Sequence, residues 1–455
     1  MSIGGEFWIP HNPERRVRGE FIAELGGKPQ ANLTANLVDD QRVIVDREPG
    51  GGVTGWSVSA EATRSVASFL PTTLHGQLDN GKPVTLVDAQ NYGRAGYFRP
   101  RYVTNAGAIV GALVSKDQLY SSVRFRMDRP YSLTHLVDGE SSEVADDDSR
   151  LRVEAAESED WASDNWLVYE SARGDTLRQL EVRVVSGCLA LLQLAMYPDE
   201  DRKTRETQIR IDPHGDWLEV HGPAFCAELS EFENQPLLKP DQLSIETYAK
   251  WIALHTKLDG LTWVVARPFM GAAQTRVLLL ATLIEGFHRS LPGYEQSKFP
   301  GVAKRALRQI FEAARRAAVT QASVDGIESR LVEKAITFYR EVSFQERAQA
   351  IVTEVCSAVP EITESITELS SRITKARNSL AHHLDAEAPL EDRVLEWLIV
   401  SGATSWLLRC LLLLRVDIDP QLLHTRLLMF QRFAFFRANT AQHVQELGWD
   451  VPSPN

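Results

Sequence analysis

The stretch SRITKARNSLAHHLD, residues 371–385, gathers the side chains best suited to chemistry. Arg377, Asn378, His382 and His383 fall within seven positions. Apolar periodicity predicts a helix from near Pro360 to near Leu384, with both histidines in its last turn. A helix C-terminus carries partial negative charge and favours a protonated imidazole. A histidine there can take up and deliver a proton at neutral pH. Asn378 and His382 lie four apart and share a face. Arg377 and His382 lie five apart, about 140° around an ideal helix. That spacing suits a cleft completed by a second surface, such as the same helix from a second subunit across a two-fold axis.

Arg, Asn and His without metal ligands fit RNA cleavage by internal transesterification. The ribose 2′-OH is the nucleophile, so the protein supplies none. Histidine moves protons, and arginine stabilises charge building on the non-bridging phosphate oxygens. No cofactor is expected. The same residues at a helix end also stabilise an ordinary helix, and R-x4-H alone does not separate the two readings.

The elements that must position these residues fall in two regions. With 455 residues, the chain is too long for one compact core. Residues 1–235 read as β. Runs such as RVIVD, VRGEFIAEL, GKPVTLVDA, VRFRMD, NWLVYES, LRQLEVRVV, LLQLAMY and TQIRID are separated by the turn signals PGGG, DNGKP and DPHGD. This predicts an antiparallel sandwich or barrel-like domain. From about residue 240 to 455 the periodicity is helical, so the expected fold is α+β, a β-rich domain followed by an all-α bundle. PQLLHTRLLMFQRFAFFRANTAQHVQELGW, near the end, is expected to pack back as a helix pair.

Composition narrows the class. Apolar content of 44% and charged content of 24% are those of a soluble globular protein. The net charge of −12 argues against whole-surface attraction to nucleic acid but leaves room for a local basic patch. Cys188, Cys226, Cys356 and Cys410 form no C-x-x-C element and read as reduced thiols. The start, MSIGGEFWIPHNPERR, lacks an apolar signal core, so a cytoplasmic location is expected. Residues 397–416 have the length of a membrane span, but Arg409 interrupts them, and a buried helix or subunit contact is expected, with no membrane partner. Residues 138–160 are strongly acidic and read as a solvated loop. Trp56, Trp161 and Trp166 read as buried or as the lining of a ligand groove. Glu285 and His288 have a spacing found in carboxylate metal sites, but no matching ligands accompany them.

RNSLAHH resembles the R-x4-6-H signature of HEPN domains, with the common polar residue directly after the arginine. LLLATLIEGFHRSL (278–291) is similar to the early helix of Apea-like HEPN domains, and SFQERAQAIV (343–352) to their F-x-x-R segment. GEFWIP, VRGEFIAEL and LHGQLDNGKPVTLVDAQ resemble the ApeA N-terminal domain. The resemblance implies a homodimeric, metal-independent endoribonuclease of anti-phage defence by abortive infection. The β domain would be its sensor, answering a phage-derived trigger. Arg377 and His382 are then the catalytic pair, Asn378 a supporting polar residue, and Glu285 a polar residue facing the site. His383 satisfies the same spacing, so the choice of histidine stays open. Some HEPN domains only bind or assemble, so a non-catalytic module for dimerisation and for RNA or protein binding is the alternative.

RNA also requires local positive charge. Lys304, Arg305, Arg308 and Arg315 lie on one predicted helix, and the signature helix adds Arg372 and Lys375. These read either as a phosphate-binding groove or as the solvated side of an amphipathic helix. Whether the RNA is tRNA, mRNA or rRNA is open.

Overall fold

The computed structural model describes Met1 to Trp449 except residues 38–42, 48–52, 59–69, 93–99, 130–131, 146, 157–164, 198–200, 229–234, 268–270, 300, 325–341 and 383–388. Two compact units result, Met1–Thr256 and Lys257–Asn455.

The first unit is built on one thirteen-stranded antiparallel sheet. Its first strands are β1 (Ser2–Ile9), β2 (Asn12–Ile22) and β3 (Gln30–Leu33). A separate hairpin follows, β4 (Val43–Arg47) and β5 (Val53–Val58). The main sheet resumes with β6 (Thr72–Leu78), β7 (Pro83–Tyr92), β8 (Arg101–Val103) and β9 (Ala108–Val110). Its later members are β10 (Leu119–Met127), β11 (Ser141–Val144), β12 (Ser149–Glu154), β13 (Trp166–Thr176), β14 (Thr204–Arg210) and β15 (Leu218–His221). The order β7-β6-β1-β2-β3-β8 closes back on β7, giving a six-stranded barrel. From β7 the sheet continues through β9, β15, β14, β10, β13, β12 and β11.

One strand serves both parts because it is long enough to hold two partners in succession. On one edge of β7, Val84–Leu86 pair with β9 and Gln90–Tyr92 with β8. Between them β7 carries an extra residue relative to β6, and Asp88 there adopts φ 47°, as a bulge requires. Buried Thr104 secures the joint. Its hydroxyl donates to the Val87 carbonyl and accepts from the Ala106 and Gly107 amides. Phe7, Phe21, Leu33, Leu74, Leu86 and Tyr102 are among the residues of the barrel core.

LRQLEVRVV and LLQLAMY, expected as strands, form one helix instead, α1 (Leu177–Met196), with a π-helical stretch at Leu180–Val185. Thr176 and Gln179 close a capping box that starts it. Gly187 to Met196 are all buried, so the run has no polar face to betray helical period. The indole of Trp251, on α2 (Ile245–Lys257), donates to the Gly187 carbonyl at 2.6 Å.

The acidic stretch also differs from a plain solvated loop. Much of it is the β11–β12 hairpin. Asp147 accepts from Arg183 at 2.5 Å and from Tyr169 at 3.1 Å. Burial raises its carboxyl, but hydrogen bonds from Ser149, Arg183 and Tyr169 outweigh that and hold it below the usual range. Trp166 is buried, and the guanidinium groups of Arg124 and Arg126 each stack on it at 4.5 Å. Trp161 and the side chain of Trp56 lie outside the described residues.

The second unit is helical: α3 (Thr262–Ala266), α4 (Ala273–Ser290), α5 (Lys304–Val324), α6 (Phe344–Ala358), α7 (Leu369–His382), α8 (Leu390–Leu414), α9 (Pro420–Met429) and α10 (Gln431–Glu446). The last two are the expected helix pair, and α10 meets α8 through an aromatic cluster of Trp406, Phe433 and Phe436. By length and composition α1 and α8 could each cross a membrane, yet 72% and 78% of their apolar windows are buried within the protein. The Arg409 guanidinium, in the span-like stretch, donates to the Ala266 carbonyl at 3.5 Å.

Candidate active site

Three helices position the candidate residues. The helix α7 begins later than the sequence suggests, because Pro360–Ile362 form a short 3-10 turn and Glu368 adopts φ 52°. Leu369, Ile373 and Ala376 then form its buried stripe. This phase puts Arg377 at the edge of the stripe and Asn378 outward, where it is exposed. His382 closes the helix. Its side chain and the whole of His383 lie outside the described residues.

Arg377 is held from two sides. Its guanidinium lies over the Phe344 ring at 4.5 Å. Its Nη2 donates to Glu285 Oε2, on α4, at 3.4 Å. Glu285 divides its carboxylate, since Oε1 accepts from Arg289 at 3.0 Å. Two guanidinium groups and one carboxylate leave this trio with a net charge of +1. Both Arg377 and Glu285 side chains are about one-third exposed, at 34% and 30%. Arginine has five N–H donors, and Glu285 is the only acceptor of Arg377 among the described residues. Donors therefore remain for a phosphate.

Phe344 reaches Arg377 because of a cap. Ser343 and Glu346 form a reciprocal capping box at the start of α6, making Phe344 the first helical residue. Three residues on, Arg347 points into the core and is 2% exposed. It donates through Nη1 to His288 Nδ1 at 3.1 Å and to Gln296 at 3.2 Å, and through Nε to the Val342 carbonyl at 3.1 Å. Arginine cannot accept, so His288 Nδ1 is unprotonated and the proton sits on Nε2. The imidazole stacks on Tyr294 at 4.6 Å. His288 and Arg347 thus tie α4 to α6 behind the Glu285–Arg377 contact. Phe344, Arg289 and Arg347 went unassigned in the sequence reading, although F-x-x-R and the i,i+4 pair Glu285/Arg289 were visible in it.

Burial, aided by the Arg347 and Arg289 cations, pushes the His288 imidazole down to about 4. The unfolded chain takes up this proton near pH 6.5 and the folded one only near 4. The contribution of His288 is fully present above pH 6.5 and is lost as pH falls toward 4. The loss is on the order of 3 kcal/mol. Urea unfolding of the wild type between pH 7 and 4 should show this decline, and His288→Asn should flatten it.

The predicted phosphate-binding cations separate into groups. Arg305 and Arg308 on α5 and Lys375 on α7 are exposed. Arg315 is exposed and lies 3.8 Å from Glu312. Lys304 begins α5, with its side chain outside the described residues. Arg372 is taken up differently: it stacks on Trp449 at 3.4 Å and donates to the Thr367 carbonyl at 2.9 Å. Among the described residues, no group of three His, Cys, Asp or Glu side chains converges as a metal site would require.

A helical bundle that presents R-x4-H at a helix end, beside a carboxylate from an earlier helix and downstream of a β domain, defines a HEPN-type protein. Comparison with family models agrees: residues 278–422 match Apea-like HEPN, and residues 2–154 match ApeA N-terminal domain 1. The chain is an ApeA-like HEPN protein, and this membership supports a role in anti-phage defence. No curated protein and no solved structure matches it.

Proposed function

We propose that the chain is an endoribonuclease that cuts RNA by 2′-OH transesterification in bacterial abortive-infection defence. The observation that carries this reading is the R-x4-H element inside the Apea-like HEPN segment, with Arg377 steadied at a partly exposed edge by Glu285 and Phe344. HEPN domains are generally ribonucleases, which supports it further. In the reaction the ribose 2′-oxygen attacks phosphorus and the P–O5′ bond breaks. The 2′-OH proton passes to a base, and the departing 5′-oxygen receives a proton. His382 or His383 moves these protons, Arg377 stabilises the equatorial oxygens, and Asn378 orients the phosphate. No metal ion or cofactor takes part. The protein acts in the cytoplasm as a homodimer that brings two signature helices to one cleft, and a phage-derived trigger acts through the β domain.

Purified protein incubated with total cellular RNA in excess EDTA should yield fragments with 2′,3′-cyclic phosphate and 5′-hydroxyl ends. RNA left intact both alone and in lysate from infected cells would refute the reading. It would favour a non-catalytic binding module, in which the Glu285–Arg377 ion pair is purely structural.

A further inference from the structure

A cluster in the first unit, independent of the ribonuclease reading, carries more buried positive charge than its surroundings answer. β10 and β14 are paired neighbours, with Met127 opposite Thr204. Asp128 and Arg129 follow β10, and Arg202 precedes β14, so all three gather at one end of the pair. They are 6%, 6% and 3% exposed.

Asp128 feels both guanidinium charges. Its Oδ1 accepts from Arg202 at 3.5 Å and its Oδ2 from the Lys203 amide at 3.0 Å. Arg202 is further placed by the end of α1: its amide donates to Gln193 at 3.2 Å, and its Nη2 contacts Met196 Sδ at 2.8 Å. The helix C-terminus adds partial negative charge near Arg202. Arg129 is different. Its backbone carbonyl accepts from Ser132, but its guanidinium has no hydrogen bond or ion pair among the described residues, and its Nε is buried without an acceptor. Two guanidinium groups therefore share one carboxylate. Deprotonation does not relieve the excess, because arginine keeps its proton at neutral pH; even burial lowers Arg202 only to about 10. A second guanidinium beside an already shared carboxylate leaves positive charge that the described residues do not balance, so an anion from outside has a reason to enter.

We propose that Arg129, supported by Arg202, binds an oxyanion, the phosphate or carboxylate group of a ligand, at the end of the β10–β14 pair. A planar guanidinium fork suits either group. This gives the β domain a ligand chemistry that neither its family description nor its fold specifies.

The test uses the full chain and measures the melting temperature in inorganic phosphate, acetate and chloride at matched ionic strength and pH, beside Arg129→Met. Phosphate also stabilises proteins by exclusion from their surfaces, so the difference between the two proteins is what counts. Wild type should gain about 3 °C more than the variant in phosphate, in acetate or in both. The more effective anion identifies the group recognised. In chloride the variant should be at least as stable as wild type, since it removes the second of two guanidinium groups that share one carboxylate. Equal responses from the two proteins would overturn the proposal. If the variant does not fold, phosphorus NMR line broadening of phosphate by wild type decides: broadening competed by acetate supports the site, and no broadening refutes it.

Discussion

Arg377→Ala should abolish RNA cleavage, by about 100-fold or more, while the helical unit keeps its fold. The size follows from the role proposed for the guanidinium, which meets charge that builds only as the 2′-oxygen attacks. Stability should change little, because the side chain is 34% exposed and its ion pair to Glu285, the one it makes among the described residues, is long at 3.4 Å. Arg377→Lys should recover only a small part of the activity, because lysine keeps the charge but lacks the planar fork. Glu285→Gln separates holding from competing. If the carboxylate only steadies the arginine, activity falls; if it competes with the phosphate, RNA binds more tightly and the salt dependence of binding grows. Single-turnover cleavage of a defined RNA, with circular dichroism of each variant, checks all three. Full activity in Arg377→Ala would remove the arginine from the mechanism.

Arg347→Met should produce the largest loss of stability. The side chain is buried, and removing it strips donors from His288 Nδ1, Gln296 and the Val342 carbonyl at once. His288 is buried, Val342 half-buried and Gln296 exposed, so the desolvation cost falls mainly on His288 Nδ1; about 2 kcal/mol is expected, a fall of roughly 6 °C in the melting temperature of the helical unit. Arg347→Lys should rescue little, since one ammonium cannot reach three acceptors spread around a planar group. A melting temperature within a degree or two of wild type would show that the network contributes little to stability. The two substitutions thus separate two arginines: one acts at the surface, and the other ties together the helices that carry its partners Glu285 and Phe344.

Much of this was legible before any coordinates. The helical half announced itself by period, and the F-x-x-R segment and the basic runs were plain. RNSLAHH marked the candidate site, since R-x4-H needs only one helix to be read. What escaped depends on contacts between distant segments. The resemblance alone brought Glu285 toward the site, since a contact with Arg377 across 92 positions has no local signature, and neither has the stacking of Arg372 on Trp449. The strand reading of residues 177–196 failed for a related reason. LLQLAMY lies in the wholly buried part of the helix, where no polar face marks the period, while LRQLEVRVV alternates polar and apolar residues over EVRV as a strand would, and the TLRQ cap that separates the readings is short. The acidic run misled through Asp147, because a carboxylate engaged by Arg183 and Tyr169 looks the same in sequence as a hydrated one.

The order of strands bears on how the β domain can be handled. The match to ApeA N-terminal domain 1 ends at residue 154, the last residue of β12. Yet β10 is bordered on both sides by strands that come later in the chain, β13 and β14, and β9 is bordered by β15. A fragment cut at 154 would leave β10 with no neighbour, unpair one edge each of β9 and β12, and remove α1. Such edges pair with other chains rather than remain in solution. The matched segment therefore holds the whole six-stranded barrel but only part of the sheet that continues from it. Any dissection of the β unit from the helical unit has to leave the chain whole to the end of β15, and to Thr256 if α1 is to keep the helix that packs on it.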